Sequence, residues 1–201
     1  MRLTKIQKAV LVGSILGDAF LQKTGSVNAR LRFEHGGKQK DYLLWKAQIF
    51  PRLFQGKPNH LSRVHPKTGS VYEYWRAQSD ASPELGRWRA VFYPKGQKRI
   101  PADLSALLVE PLSLAVWYMD DGYYYPKDHN SYLYLGTVSR EEAETARVAL
   151  ESNFKLNVRI YDKKRKGFAL YFGVEETKKL HDLVRPHMLL PLFAYKLGDT
   201  H

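Results

Sequence analysis

The chain has no cysteine, which excludes disulfides and thiolate zinc sites and fits a reducing compartment. It also lacks any apolar run long enough to cross a bilayer. Met1-Arg2-Leu3-Thr4 opens straight into a helical pattern rather than a targeting peptide. The expectation is therefore a protein that works where it is made, in the cytoplasm or nucleoid of a prokaryote or in an organelle that encodes it. Acidic residues are scarce: 20 Asp and Glu face 32 Lys and Arg, for a net charge of +12. The shortage is local, because residues 1–100 hold 19 basic and 6 acidic side chains and the remainder 13 and 14. Fixed positive potential of this size attracts a polyanion without reading its sequence, so nucleic acid is the expected partner. With 44% hydrophobic residues in 201, the chain can build a core in one compact unit or in two small ones.

What the chain does contain is one device used twice. Leu11-Val12-Gly13-Ser14-Ile15-Leu16-Gly17-Asp18-Ala19 and Leu114-Ala115-Val116-Trp117-Tyr118-Met119-Asp120-Asp121-Gly122 are both apolar helical runs closing on Asp and a very small residue. Each half thus owns one carboxylate at the end of one helix. If the helices pack side by side, Asp18 and Asp121 meet, and paired acids suit a divalent cation and a phosphodiester. Gly13 and Gly17 each cost a helix about 1 kcal/mol relative to Ala, so they call for a compensating close contact with another helix.

The rest of the pattern is also duplicated. Thr4 and Gln7 read as a capping box that starts the first helix. Val27 to Glu34 alternates, with Val27, Ala29, Leu31 and Phe33 inward and Arg30 and Arg32 outward. A helix is expected over Tyr42–Phe54, a hairpin over Leu61–Ala77 turning at His65–Gly69, and a helix over Ser82–Phe92. Pro94 to Pro101 reads as the linker, giving an N-terminal half at 1–100 and a C-terminal half at 101–201. Beyond it, Pro111 opens the second motif helix. A strand over Ser131–Thr137, a helix from Ser139 to Phe154, a hairpin turning at Lys163–Gly167 and a helix over Glu175–Val184 follow. The fold class is α+β, with αββαββα order in each half. Outward Arg30, Arg32, Tyr72, Tyr74, Arg76, Gln78, Arg159 and Tyr161, with Lys163 and Lys164 in a turn, form two sheet faces suited to a duplex. The seven histidines show no metal-ligand spacing and read as scattered surface residues.

Both motif segments resemble those of the LAGLIDADG homing endonucleases of the single-chain, two-motif type. The likeness extends to Lys98-Arg99-Ile100-Pro101, Pro111-Leu112-Ser113-Leu114-Ala115 and Tyr195-Lys196-Leu197, and so covers nearly the whole chain. It implies a monomer with internal pseudo-twofold symmetry, motif helices at its centre and two antiparallel sheets forming a DNA-binding saddle. It further implies double-strand cleavage at a long asymmetric site, with Mg²⁺, replaceable by Mn²⁺, held by Asp18 and Asp121. Lys98 and Lys196 match the family's basic residues near the scissile phosphates. Two departures stand out: Leu16 and Met119 replace the first acid of the motif name, and Asp120 occupies the position that is Gly17 in the first copy. Asp120 therefore ranks behind Asp121 as a ligand.

Two rivals remain open to sequence. Tyr118-Met119-Asp120-Asp121 also matches the Tyr-x-Asp-Asp of reverse transcriptases, which lies on a β-hairpin. Members of the same fold serve instead as intron RNA maturases or as DNA-binding regulators that do not cut.

Overall fold

The computed structural model describes residues 2–188 and 190–199. Two compact units emerge, one comprising Met1–Gln7 and Asp18–Val91, the other Lys8–Gly17 and Phe92–His201. The expected helix and strand order is present in both halves of the sequence, with one short extra helix in the second.

In the first unit, β1 (Phe20–Lys23), β2 (Ala29–Gly36), β3 (Asn59–Val64) and β4 (Val71–Gln78) form an antiparallel sheet in the order β1-β2-β4-β3. Period-two alternation along β2 buries Ala29, Leu31, Phe33 and His35 and leaves Arg30, Arg32 and Glu34 on the opposite face. Two helices, α2 (Lys40–Gln48) and α3 (Pro83–Phe92), belong to this half. Leu21, Leu31, Phe33, Tyr42 and Phe50 make the core, with Phe33 stacked on Phe54 at 5.2 Å.

Two local expectations need correction. Val27 is 65% exposed and precedes the strand, which begins at Ala29; a Cβ on Gly86 of α3 would collide with the Val27 carbonyl oxygen. The helix expected to reach Phe54 stops at Gln48. Pro51 disfavours helical geometry at Phe50, and the chain tightens through Phe50 N–H to Ala47 carbonyl at 3.0 Å.

In the second unit, residues 8–16 of α1 (Lys5–Leu16 in full) and Gly17 lie with α4 (Leu104–Leu107) and α5 (Pro111–Asp121). The sheet is β5 (Gly122–Tyr125), β6 (Asn130–Gly136), β7 (Arg159–Asp162) and β8 (Phe168–Phe172), in the order β5-β6-β8-β7 and again antiparallel. Two further helices, α6 (Arg140–Phe154) and α7 (Val174–Val184), complete it. Leu114, Trp117, Tyr118, Leu133, Leu150, Leu170 and Phe172 are buried. Both foreseen helix starts are observed. Thr4 Oγ1 accepts from Gln7 N–H at 3.2 Å and Gln7 Oε1 from Thr4 N–H at 3.0 Å. Ser139 and Glu142 do the same for α6.

Gly13 packs where its sequence context demands. A Cβ there would lie 2.3 Å from the Ser113 carbonyl oxygen and 2.8 Å from Val116 Cβ, so α1 packs its backbone against the backbone and a side chain of α5. Among the described residues, no helix is long and apolar enough to cross a membrane.

Candidate active site and nucleic-acid interface

The second unit presents an open cavity of about 370 Å³ at the end of the two motif helices, lined by Gly17, Lys98, Trp117, Asp121, Tyr134 and Lys166 among others. Asp121 is the last residue of α5. Asp120 leans the other way: it packs on Gly17, whose absent Cβ would lie 2.5 Å from Asp120 Cβ. A glycine in the first copy thus makes room for an acid in the second.

Lys98 reaches the same helix end. Its ammonium donates to the Gly17 carbonyl at 2.5 Å, one residue before Asp18. The segment carrying Lys98 is held by Glu142, which accepts from Ile100 N–H at 2.8 Å and from Arg99 at 3.2 Å. The capping acid of α6 therefore also fixes this loop. Lys196 is related to α5 as Lys98 is to α1. Its ammonium donates to the carbonyls of Met119 at 2.6 Å, Tyr118 at 3.2 Å and Asp120 at 3.4 Å. These are carbonyls at the negative end of the helix dipole, the natural seat of a cation. Lys196 differs in being only 4% exposed. The contact is locked by Tyr118, whose hydroxyl donates to the Lys196 carbonyl at 2.9 Å and lies 3.1 Å from Ser131 Oγ, and whose phenol is pushed up by burial.

In the first unit Asp18 stands two residues past α1 with half of its side chain exposed. The outward face of the first sheet is a mixed-charge network that the sequence did not announce. Glu34 Oε1 takes Arg32 at 3.1 Å and Arg76 at 2.9 Å, and Arg76 and Arg63 lie over the Tyr74 ring. The arginines are thereby held in place rather than splayed into solvent. Tyr72 and Gln78 are exposed on β4, while Arg30 is half-buried.

The second sheet face is aromatic. Tyr123, Tyr132 and Tyr171 stand in one cross-strand row that ends on Arg159, with Tyr161 beside it. Lys163 sits 4.0 Å over the Tyr132 ring. Lys164 turns the hairpin at φ 57°, with its N–H on Asp162 at 2.7 Å. Tyr125 and Tyr134 share a hydroxyl contact of 3.2 Å, and burial pushes the Tyr134 phenol up to about 12. Tyr123, Tyr125 and Tyr171 were not singled out from sequence, although Gly122-Tyr123-Tyr124-Tyr125 is a visible aromatic run.

The histidines depart from the surface expectation in two places. His35 and His181 are buried, and His201 lies outside the described residues. The reverse-transcriptase reading falls as well, because Tyr118–Asp121 is helical rather than a β-hairpin.

Two four-stranded antiparallel sheets, each preceded by an apolar helix closing on an acid, define a duplicated α+β fold. The chain belongs to the LAGLIDADG DNA endonuclease family, whose model matches residues 8–180. It is 31% identical over 207 residues to the probable intron-encoded endonuclease 1 of Wickerhamomyces canadensis, covering 97% of this chain and 85% of that one. It is 30% identical to a RecA protein of Mycolicibacterium flavescens over 98% of this chain, but spans only 47% of that relative. Among solved structures, the homing endonuclease I-WcaI bound to its DNA recognition sequence superposes with a TM-score of 0.89 at 28% identity, covering 98% of this chain and 88% of that one.

Proposed function

We propose that this chain is a site-specific homing endonuclease that makes double-strand breaks at a long asymmetric DNA site, acting as a monomer, with Mg²⁺ as its cation and Mn²⁺ as a substitute. The observation that carries this reading is the repeated helix end: Asp18 follows α1, Asp121 closes α5, and a lysine ammonium binds the terminal carbonyls of each helix. Asp18 is half exposed and Asp121 lines the open cavity, so both carboxylates are accessible, and their hard oxygens are the donors that Mg²⁺ takes. A cation held by them would acidify an attacking water and offset charge on the reacting phosphate.

The protein's own groups supply the rest. Lys98, beside Asp121 in the cavity, presents positive charge to a phosphate. Lys196, buried under α5, fixes the backbone that carries Asp121. Arg30, Arg32, Tyr72, Tyr74, Arg76 and Gln78 in the first sheet, and Arg159, Tyr161, Lys163 and Lys164 in the second, contact DNA. The two faces are built differently, with arginines paired through Glu34 in one sheet and a cross-strand tyrosine row in the other, and this difference supports an asymmetric site.

The test is cleavage of a plasmid pool with randomised inserts under Mg²⁺ or Mn²⁺, followed by sequencing of the ends. Both strands should be cut at one family of related sites. Asp18→Asn and Asp121→Asn should each abolish cutting while holding DNA affinity within about tenfold, or about 1.4 kcal/mol. A selected duplex that is bound but never cut would replace this reading with a DNA-binding regulator. Tight binding of a structured intron RNA without cutting would replace it with a maturase.

A further inference from the structure

Two residues outside the set read from the sequence form a buried polar pair in the first unit. His35 ends the inward-facing row of β2 at 4% exposure, with its ring against Tyr42 at 4.9 Å between centroids. Lys46, on α2, is wholly buried. Its ammonium lies 3.3 Å from His35 Nε2 and sits over the rings of Tyr42 at 4.3 Å and Phe33 at 5.5 Å. The other ring nitrogen, His35 Nδ1, faces Asp18, 3.9 Å from Oδ2.

The chemistry of the two groups fixes the arrangement of hydrogens. An ammonium has three donors and no acceptor, so its hydrogen bond to His35 consumes the Nε2 lone pair. The proton of a neutral imidazole then resides on Nδ1, the nitrogen that looks toward Asp18. The two aromatic faces under Nζ offset part of the cost of burying the charge, and the packed β2 and α2 leave the pair little freedom.

We propose that Lys46 is a positioning residue that locks His35 in its Nδ1–H tautomer, so that the ring presents a fixed N–H donor toward Asp18. This rests on Asp18 acting in catalysis. At 3.9 Å the donor is spaced to orient the carboxylate directly after a small shift, or to hold one water or phosphate oxygen beside it. The same proton has a second effect. A nitrogen that carries hydrogen has no lone pair for a metal, so the ligand set at Asp18 stays oxygen-only, the kind that suits Mg²⁺ and Mn²⁺ rather than softer transition metals. Lys46 thus keeps a histidine beside a cation site from becoming a ligand.

Long-range ¹H–¹⁵N correlation spectra of histidine-labelled protein test this without any turnover, with His35 assigned by its loss in His35→Asn. The wild-type ring should show the Nδ1–H pattern at neutral pH, and Lys46→Met or Lys46→Gln should release it toward Nε2–H. An Nε2–H pattern in the wild type overturns the proposal. Single-turnover cleavage supplies the second readout. Asparagine places its amide nitrogen near the Nδ1 position and glutamine near Nε2, so His35→Gln should cut about tenfold more slowly than His35→Asn at equal DNA affinity. Equal rates for the two would also overturn the proposal. If Asp18→Asn cuts normally while the wild-type tautomer is as stated, the fault lies in the catalytic assignment and not in the tautomer.

Discussion

Replacing Gly13 by alanine sets two effects of similar size against each other, and the helix contact decides the sign. Alanine is favoured over glycine within a helix by about 1 kcal/mol. Against that gain, the new Cβ would lie 2.3 Å from the Ser113 carbonyl oxygen, 2.8 Å from Val116 Cβ and 3.1 Å from the Ser113 carbonyl carbon. None of these atoms is the tip of a flexible side chain, so α5 itself must move. Overpacking of this sort costs about 1–3 kcal/mol, and a backbone collision belongs at the upper end. The net loss is then about 1–2 kcal/mol, which for a chain of this size lowers Tm by roughly 4 °C. Catalysis should suffer more, because α5 carries Asp121 and a displacement of about 1 Å can cost a hundredfold in rate. Thermal and urea melts, paired with single-turnover cleavage, measure both. Ser14→Ala is the control in the same helix: its hydroxyl is buried with no hydrogen-bond partner, so alanine there should be neutral or stabilising by up to about 1 kcal/mol. A rise in Tm for Gly13→Ala matching that of Ser14→Ala would refute the tight contact.

The two lysines should separate by assay: Lys196→Met orphans buried helix-end carbonyls and should cost about 1–3 kcal/mol in a urea melt, whereas Lys98→Met, at a more open position, should leave the melt nearly unchanged and slow cleavage. Burial, reinforced by the nearby Arg185 charge, lowers His181 to about 4 from 6.5. The unfolded chain therefore takes this proton first, so stability should fall as pH drops from about 6.5 to 4, and His181→Asn should flatten that part of a Tm-against-pH profile. Neutralising Arg30, Arg32 and Arg76 together should reduce the log–log salt slope of DNA binding by up to about 0.9 for each phosphate that these side chains neutralise. Glu34→Gln should do the opposite, freeing Arg32 and Arg76 to bind duplexes more tightly and with less discrimination in competition assays against scrambled DNA.

What sequence made legible is what local rules govern. Caps at Thr4 and Ser139, a proline at the start of α5 and alternation along β2 are each set by residues a few positions apart. The fold order followed from these and from the repeated motif. Features created by long-range pairing were not legible. Lys46, within Leu43-Leu44-Trp45-Lys46-Ala47, carries no sequence signal, and its role emerges when β2 brings His35 to it across 11 residues of chain. Lys196 reads as a phosphate contact until 78 residues of folding bring it against Tyr118. Glu34 looks like an ordinary outward acid, and only the β2–β4 register sets it opposite Arg76. The error at α2 was of another kind, since Pro51 was in plain view and limits the helix by its effect on Phe50.

The fit of Asp120 into the notch left by Gly17 has a consequence for how the two motif copies can be recombined. The notch lies just past the end of α1 and its filler on α5, where a Cβ at Gly17 would lie 2.5 Å from Asp120 Cβ. Pairing two first-motif helices would put glycine against glycine and leave a void. Pairing two second-motif helices would drive aspartate into aspartate, adding like charge to steric overlap. The chain has therefore lost interchangeability between its halves: neither can serve as its own partner. Grafting a motif helix from a relative into this protein should succeed only when residues 17 and 120 are exchanged together.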